Sequence, residues 1–350
     1  MTDVIYYGDC RPYHAAAASV AADLGVNAFV YEFGYLRPDW LTLERGGMAG
    51  RSHFPNDAAL IERVAANVPA PDLKQRYSNS MAAELSREIA YHWTSYFFHV
   101  VFPFYAADRY YNPIVEYLTG IPKQLKAKSA SREADRLVTN LTATGAPFFL
   151  FPLQLQCDYQ LRKNSPFDHQ TDAIKLVIRS FSNWAPRSAQ LVFKCHPLDN
   201  GAEGWCGHIE ALAAEFGVSG RVFYIEGGDL SRLLKHAKGV VLINSTVGMH
   251  AIVSGRPTKV LGTAVFDIEG ITHQGSLDDF WNASTQPDPH LSAALVRALA
   301  ATIQVKGSFL DPNGRAEAVR VFADRLTNNT VNGAGAFVTP PPRQKHRKIG

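Results

Sequence analysis

"PFFLFPLQLQCDYQLRKNSPF", residues 147–167, begins as an apolar run and turns abruptly to a carboxylate, amide side chains and an Arg-Lys pair. The run reads as a buried strand, and Asp158 falls just beyond it. Further strands are expected at 190–194, 221–225, 239–243 and 258–262, with amphipathic segments near 168–184, 203–216, 229–237 and 245–254 between them. Strand and helix in strict alternation imply a parallel sheet with right-handed crossovers, here a doubly wound domain over about 146–330. In such sheets ligands bind beyond the carboxyl ends of the strands, which is where Asp158 stands.

Working outward, residues 1–35 read as one more β-α-β unit, with strands at 4–7 and 28–31. A loop-rich stretch (36–75) and long helical patterns near 80–101 and 108–143 follow. Residues 1–145 are therefore assigned to a smaller, partly helical N-terminal domain. Residues 331–350, rich in Gly, Pro and basic side chains without periodicity, are expected to be a disordered basic tail. A chain of 350 residues exceeds the size of most single cores, which agrees with two domains. The net charge of +3 gives no case for nucleic acid. Cysteines 10, 157, 195 and 206 show neither zinc spacing nor a disulfide framework. No apolar stretch reaches the roughly 18 residues of a spanning helix, and the N-terminus lacks an export signal, so a cytoplasmic protein is expected.

Candidate chemistry gathers at strand ends. Gln154 and Gln156 lie on one side of their strand and suit hydroxyls or a carboxylate. Asp158 either caps the next helix or serves as a nucleophile or proton carrier. No DxD pair or His-rich cluster accompanies it, so no metal is expected. In "KCHP" (194–197) Lys194 and His196 stand at the sheet rim, as anion contacts or as a solvated edge. In "NSTVGMH" (244–250) Ser245 and Thr246 either bind phosphate with Gly248 close by, or merely cap a helix. Glu32 follows an early strand as a loop carboxylate. Arg11, Arg37 and Asp39 fall in the smaller half, as anion contacts or structural ion pairs. The aromatic "HWTSYFFHVVFPFY" (92–105) fits a lipid-facing segment, although a buried helix is the better reading of its all-round apolarity.

Six ordered motifs carry a family resemblance: "YGDCRPYH" (7–14), "EFGYLRPDWLTLE" (32–44), "PLQLQCDYQLRKNSPF" (152–167), "FKCHP" (193–197), "INSTVGMHAIVSGRPTKVLG" (243–262) and "ITHQGSLDDFW" (271–281). In these the chain resembles the KpsS/LipB-type capsule polysaccharide β-Kdo transferases, with related modules in KpsC proteins. The resemblance implies a GT-B-like α/β fold, two Rossmann-type domains facing a cleft. It also implies retaining transfer of the acidic sugar Kdo from CMP-Kdo onto a phosphatidylglycerol-type glycolipid, with no cofactor beyond the donor. Asp158 would be the nucleophile, Glu32 the acid/base toward the acceptor, and His196 the group that steadies the departing CMP. Gln154, Gln156, Lys194, Ser245, Thr246 and Gly248 would hold the donor, and Arg11, Arg37 and Asp39 the acceptor. Peripheral contact with the inner face of the cytoplasmic membrane and with a capsule export complex is implied as well. Two departures stand out. Met1 begins almost at the first motif, where family chains carry a further β-α-β unit, which raises the expectation of an incomplete N-terminal domain. Cys195 stands where the family more often has Pro. Two rival readings remain: a catalytically weak or inactive assembly component, and another nucleotide-sugar transferase of GT-B shape.

Overall fold

The computed structural model describes residues 1–78, 81–98, 100–104, 110–333 and 335–343. The N-terminal part runs β1 (Asp3–Tyr7), α1 (Pro12–Asp23), β2 (Asn27–Phe33), β3 (Trp40–Arg45), α2 (Ala58–Ala65), α3 (Met81–Phe98) and α4 (Pro113–Thr144). Then come β4 (Phe148–Pro152), α5 (Tyr159–Lys163), α6 (Gln170–Trp184), β5 (Gln190–Lys194), α7 (Trp205–Glu215), β6 (Val222–Ile225), α8 (Leu230–His236) and β7 (Gly239–Leu242). The chain closes with α9 (Val247–Val253), β8 (Thr258–Val260), α10 (Leu277–Ala283), α11 (Pro289–Thr302), β9 (Gln304–Lys306) and α12 (Pro312–Thr327).

The apolar run at 147–153 becomes β4, buried at every position, because a central parallel strand is covered on both faces. Its sheet has the order β6-β5-β4-β7-β8, all parallel. The strand order reverses between β4 and β7, and the loops after those two strands flank the switch point where such sheets bind ligands. Alternate residues of β4 feed two cores. Phe149 and Phe151 pack with α6 and Trp281, while Phe148 and Leu150 pack with Val138, Leu141 and the α8 leucines.

The first sheet, β1-β2-β3-β9, is mixed: β1 and β2 pair in parallel, whereas β3 is antiparallel to β2 and to β9. The stretch 36–75, read as loops, thus contributes a central strand and α2, whose N-terminus Asp57 caps through Leu60 N. β9 arrives from beyond the second sheet, so the first sheet draws on both ends of the sequence. A division at residue 146 does not capture that return. The two sheets of this α/β fold both contribute to one cleft.

Two sequence expectations fail. The tail is packed as far as Arg343. Its guanidinium donates to the carbonyls of Phe54, Pro55 and Val265, and Ala336 is fully buried. His53 and Val338 exchange hydrogen bonds, and the His53 ring stacks on Phe337. Single side chains bonding backbone carbonyls leave no periodic pattern to read, which is why composition misled. Residues 344–350 lie outside the described residues. The aromatic segment is not a buried helix either, since Trp93, Tyr96, Phe97 and Phe98 of α3 are exposed; His99 and Tyr105 lie outside the described residues. Among the described residues no helix is long and apolar enough to cross a membrane.

Candidate functional site

The cleft is lined from both sheets: Glu32, Tyr35 and Arg37 on one side, Gln154, Asp158, Gln160, His196 and Asn244–Thr246 on the other. Asp158 is the N-cap of α5, its Oδ1 accepting from Gln160 N at 2.8 Å. The capping and chemical readings are therefore compatible, because one oxygen caps while the half-buried group still lines the cleft. Burial raises its pKa, opposed by the Gln160 N–H and by the charges of Arg37 and Arg11.

Glu32 stands at the carboxyl end of β2. Its pKa is raised to about 7 by burial and by the charge of Asp158, against the hydrogen bond from Gln160 Nε2 at 2.9 Å. Two carboxylates thus share the cleft, and one of them titrates near neutrality. Gly8, at φ +61°, lies so close that a Cβ there would sit 3.4 Å from the Glu32 carboxylate. The glycine of "YGDCRPYH" makes room for the acid.

Gln160 is held in turn by Asn164, whose Nδ2 donates to Gln160 Oε1 at 2.7 Å and whose Oδ1 accepts from Gly50 N. α5 therefore ties the second sheet's loops to the first. Asn244 locks the other side, donating to the carbonyls of Gln160 and Asn164 and exchanging two hydrogen bonds with Gln154. Gln160, Asn164 and Asn244 all lie within the quoted motifs, yet carry no charge or recognised spacing to mark them. Gln170 stands apart: fully buried, it bonds both backbone groups of Gln154 and shapes the loop after β4.

Arg37 has no hydrogen bond or ion pair to the described residues; its guanidinium packs on the Phe33 ring with its carbon 4.8 Å from the centroid. Burial lowers its pKa, opposed by Glu32, Tyr7 and Asp158. His196 is pushed down to about 4 by burial, opposed by the charge of Asp199 and aided by Lys194, Arg37 and Lys123, so it is neutral at pH 7. Its Nδ1 accepts from Leu198 N at 3.1 Å, which places the ring proton on Nε2. Ser245 and Thr246 line the cleft; Ser245 Oγ accepts from Val247 N, and Thr246 precedes α9 without a side-chain cap.

Other candidates are placed elsewhere. Gly248 is buried in α9, where a Cβ would meet the Phe266 ring at 2.4 Å, so its smallness serves packing and not ligand approach. Gln156 is buried and bonded to Asp168 O and Gln170 N. Lys194 is buried outside the cleft lining, its pKa lowered by burial. Asp39 is a structural ion pair: Lys306 at 2.6 Å and the N–H groups of Arg76 and Tyr77 outweigh burial and hold it below its ordinary pKa. Arg11 stands beside the cleft against the Tyr7 and Tyr159 rings. Gln154 lines the cleft, but its amide is engaged with Asn244. Among the described residues no group of three or more His, Cys, Asp or Glu could hold a metal ion.

Comparison with known proteins gives a consistent context. The chain is 33% identical over 292 residues to the capsule polysaccharide export protein KpsS of Escherichia coli, covering 82% of this chain and 74% of that one. It is 29% identical over 311 residues to the capsule polysaccharide modification protein LipB of Neisseria meningitidis serogroup B, covering 87% and 74%. Among solved structures, the beta Kdo 2,7 transferase of Thermosulfurimonas dismutans KpsC aligns with a TM-score of 0.46 at 15% identity, over 91% of this chain and 85% of that one. The Capsule polysaccharide biosynthesis protein model matches residues 2–310, a span that holds every motif building the cleft, and the chain belongs to that family.

Proposed function

We propose that this protein is a retaining β-Kdo glycosyltransferase that uses CMP-Kdo to extend a poly-Kdo linker on (lyso)phosphatidylglycerol. The observation that carries the reading is the pair Asp158 and Glu32, two half-buried carboxylates in one cleft at the sheet's switch point, with Arg37 unpaired between the sheets. The names of the relatives KpsS and LipB, a capsule polysaccharide export and a modification protein, support a capsule role, and the donor is what the sequence motifs imply.

Retention follows from two inversions. Ionised Asp158 attacks the anomeric carbon; the carbon–oxygen bond to the phosphate breaks, and CMP leaves with the electron pair. Neutral His196 donates its Nε2–H to the departing phosphate, while Ser245 and Thr246 supply hydroxyls beside it. The acceptor hydroxyl then attacks the same carbon, Glu32 takes its proton, and the bond to Asp158 breaks. A Glu32 pKa of about 7 suits a group that must gain a proton near neutral pH. The Arg37 guanidinium suits the Kdo carboxylate, which it meets without competition from a protein anion in direct contact.

The test is mass-spectrometric detection of Kdo transfer to a short-chain lysophosphatidylglycerol acceptor, with CMP-Kdo made in situ. Wild type is expected to give product and Asp158→Asn a stalled or absent reaction. Stabilisation by UDP and not CMP in a thermal-shift titration would overturn the donor assignment.

A further inference from the structure

Beside the cleft, aromatic rings and guanidiniums alternate in a ladder. Arg11 Cζ lies 5.8 Å from the Tyr7 ring centroid and 5.5 Å from that of Tyr159; Arg162 Cζ lies 5.3 Å from Tyr159 and 4.9 Å from Tyr110. Both guanidiniums therefore rest on one ring, that of Tyr159. The ladder draws on three separate stretches: β1 with the residue before α1, the short helix α5, and the residues just ahead of α4. Its inner end is the cleft, since Tyr159 follows Asp158 in the chain and Arg11 is near enough to oppose the rise in the Asp158 pKa. Its outer end is Tyr110, which is 42% exposed.

A ring holds a guanidinium by its face and leaves the N–H edge to find acceptors elsewhere. Among the described residues Arg162 has neither a hydrogen bond nor an ion pair, only its two rings. Glu203, near the outer end, is already engaged: it accepts from Tyr111, against which Tyr110 packs edge-on at 4.8 Å, and lies 3.0 Å from His169 Nε2. Arg162 is half-buried, and a cation drawn partly from water with its donors unspent is built to meet an anion.

We propose that Arg11 and Arg162, held by Tyr7, Tyr159 and Tyr110, form a subsite for an oxyanion of the acceptor, a phosphodiester or a sugar carboxylate. A planar donor fork fits either group bidentately. The placement suits an acceptor, whose attacking hydroxyl must reach the carbon carried by Asp158 while its charged group lies to one side. In a phosphatidylglycerol headgroup only a glycerol unit separates hydroxyl from phosphate. The inference deepens the proposed function and rests on it for the acceptor, but the binding itself is read without turnover.

The test is isothermal titration of the full chain with a short-chain lysophosphatidylglycerol, with a Kdo glycoside of a neutral alcohol, and with the uncharged monoacylglycerol as control. Wild type is expected to bind an anionic ligand at least about tenfold more tightly than the control. Arg162→Gln should weaken that binding about tenfold and R11Q/R162Q about a hundredfold, while Arg162→Lys, which keeps the charge without the fork, recovers part of it. In transfer assays the acceptor KM should rise by the same factor, with much smaller changes in kcat and in the KM for CMP-Kdo. Circular dichroism and Tm check that the variants fold. Weakening with lysophosphatidylglycerol assigns the phosphodiester, and weakening with the Kdo glycoside assigns the carboxylate. Equal binding of charged and uncharged ligands would overturn the proposal, as would variants that lower Tm and kcat together while acceptor affinity holds, which would make the ladder packing alone. Anion binding that depends on Arg162 without any Kdo transfer would keep the subsite and remove the transferase reading.

Discussion

The cleft and the α3–α4 surface invert each other. In the cleft, carboxylates, a guanidinium and an imidazole are drawn partly out of water, whereas on α3 and α4 tryptophan, phenylalanine and leucine are left in it. Each arrangement is unfavourable for the isolated fold, because half-buried charges lose hydration and exposed apolar area keeps its hydration cost. Yet they are built differently. Around the cleft carboxylates the polar side chains bond one another: Gln160 to Glu32, Asn164 to Gln160, Asn244 to Gln154. On the surface the side chains touch mostly their own neighbours. The cleft side chains hold one another in place, whereas the surface leaves its apolar area in water.

That contrast can be broken, starting with the largest effect. Asp158→Asn keeps a cap oxygen for Gln160 N but removes the proposed nucleophile, and transfer should fall by roughly a thousandfold or more with little change in Tm. Retained activity would remove Asp158 from the chemistry.

Glu32→Gln should lower transfer about a hundredfold and abolish the pH limb near 7. It also changes the dependence of stability on pH. The folded pKa of Glu32 is raised to about 7, above the unfolded value near 4.5, so the native state binds the extra proton between those values. Stability due to this group is therefore present below about pH 4.5 and is lost as pH rises through 7. Glu44, buried between Ser52 and Tyr35, is likewise raised to about 7 by burial and adds to the same fall. Wild-type Tm should drop from pH 5 to pH 8, and Glu32→Gln should drop less; equal slopes would mean that Glu32 is not held proton-rich.

Gln160→Leu removes the hydrogen bond that holds Glu32 down. The alkaline shift of the pH limb is the informative readout, accompanied by a loss of roughly tenfold, about 1.4 kcal/mol of barrier. A uniform loss without a shift would make Gln160 a packing residue only.

Arg343→Ala tests the packed tail. It leaves three carbonyls short of a donor in a region containing the cleft wall residue Val265, and should cost about 2–4 kcal/mol by chemical denaturation. The smallest effect is expected from the surface: Leu118→Ser should change stability by no more than about 0.5 kcal/mol, since it removes no buried contact. A large loss of stability there would mean that the chain itself covers that side chain.

The second sheet was legible almost residue by residue, because its strands are buried on both faces and its helices are amphipathic, so period and punctuation coincide. β5 falls on 190–194 as read. β3 was missed because "WLTLER" is short and sits among Gly, Pro and Asp, and its pairing partners lie at both ends of the chain. At the cleft, Asp158, Arg37 and His196 were visible as charged or titratable residues after strands; Glu32 was visible as a carboxylate, but it belongs to β2 itself and not to the loop it was read in. Gln160, Asn164, Asn244 and Gln170 were not singled out, since a neutral amide acquires its role only from the partners that folding supplies.

Local chemistry in the sequence determined the alternating parallel sheet, the carboxylate after β4 and the family. Which carboxylate gains a proton near neutrality, which lysine withdraws from the cleft, that Asp39 serves an ion pair and that the tail packs were decided only by tertiary structure. Burial and distance to other charges arise from chain segments more than a hundred residues apart, and no local pattern encodes them.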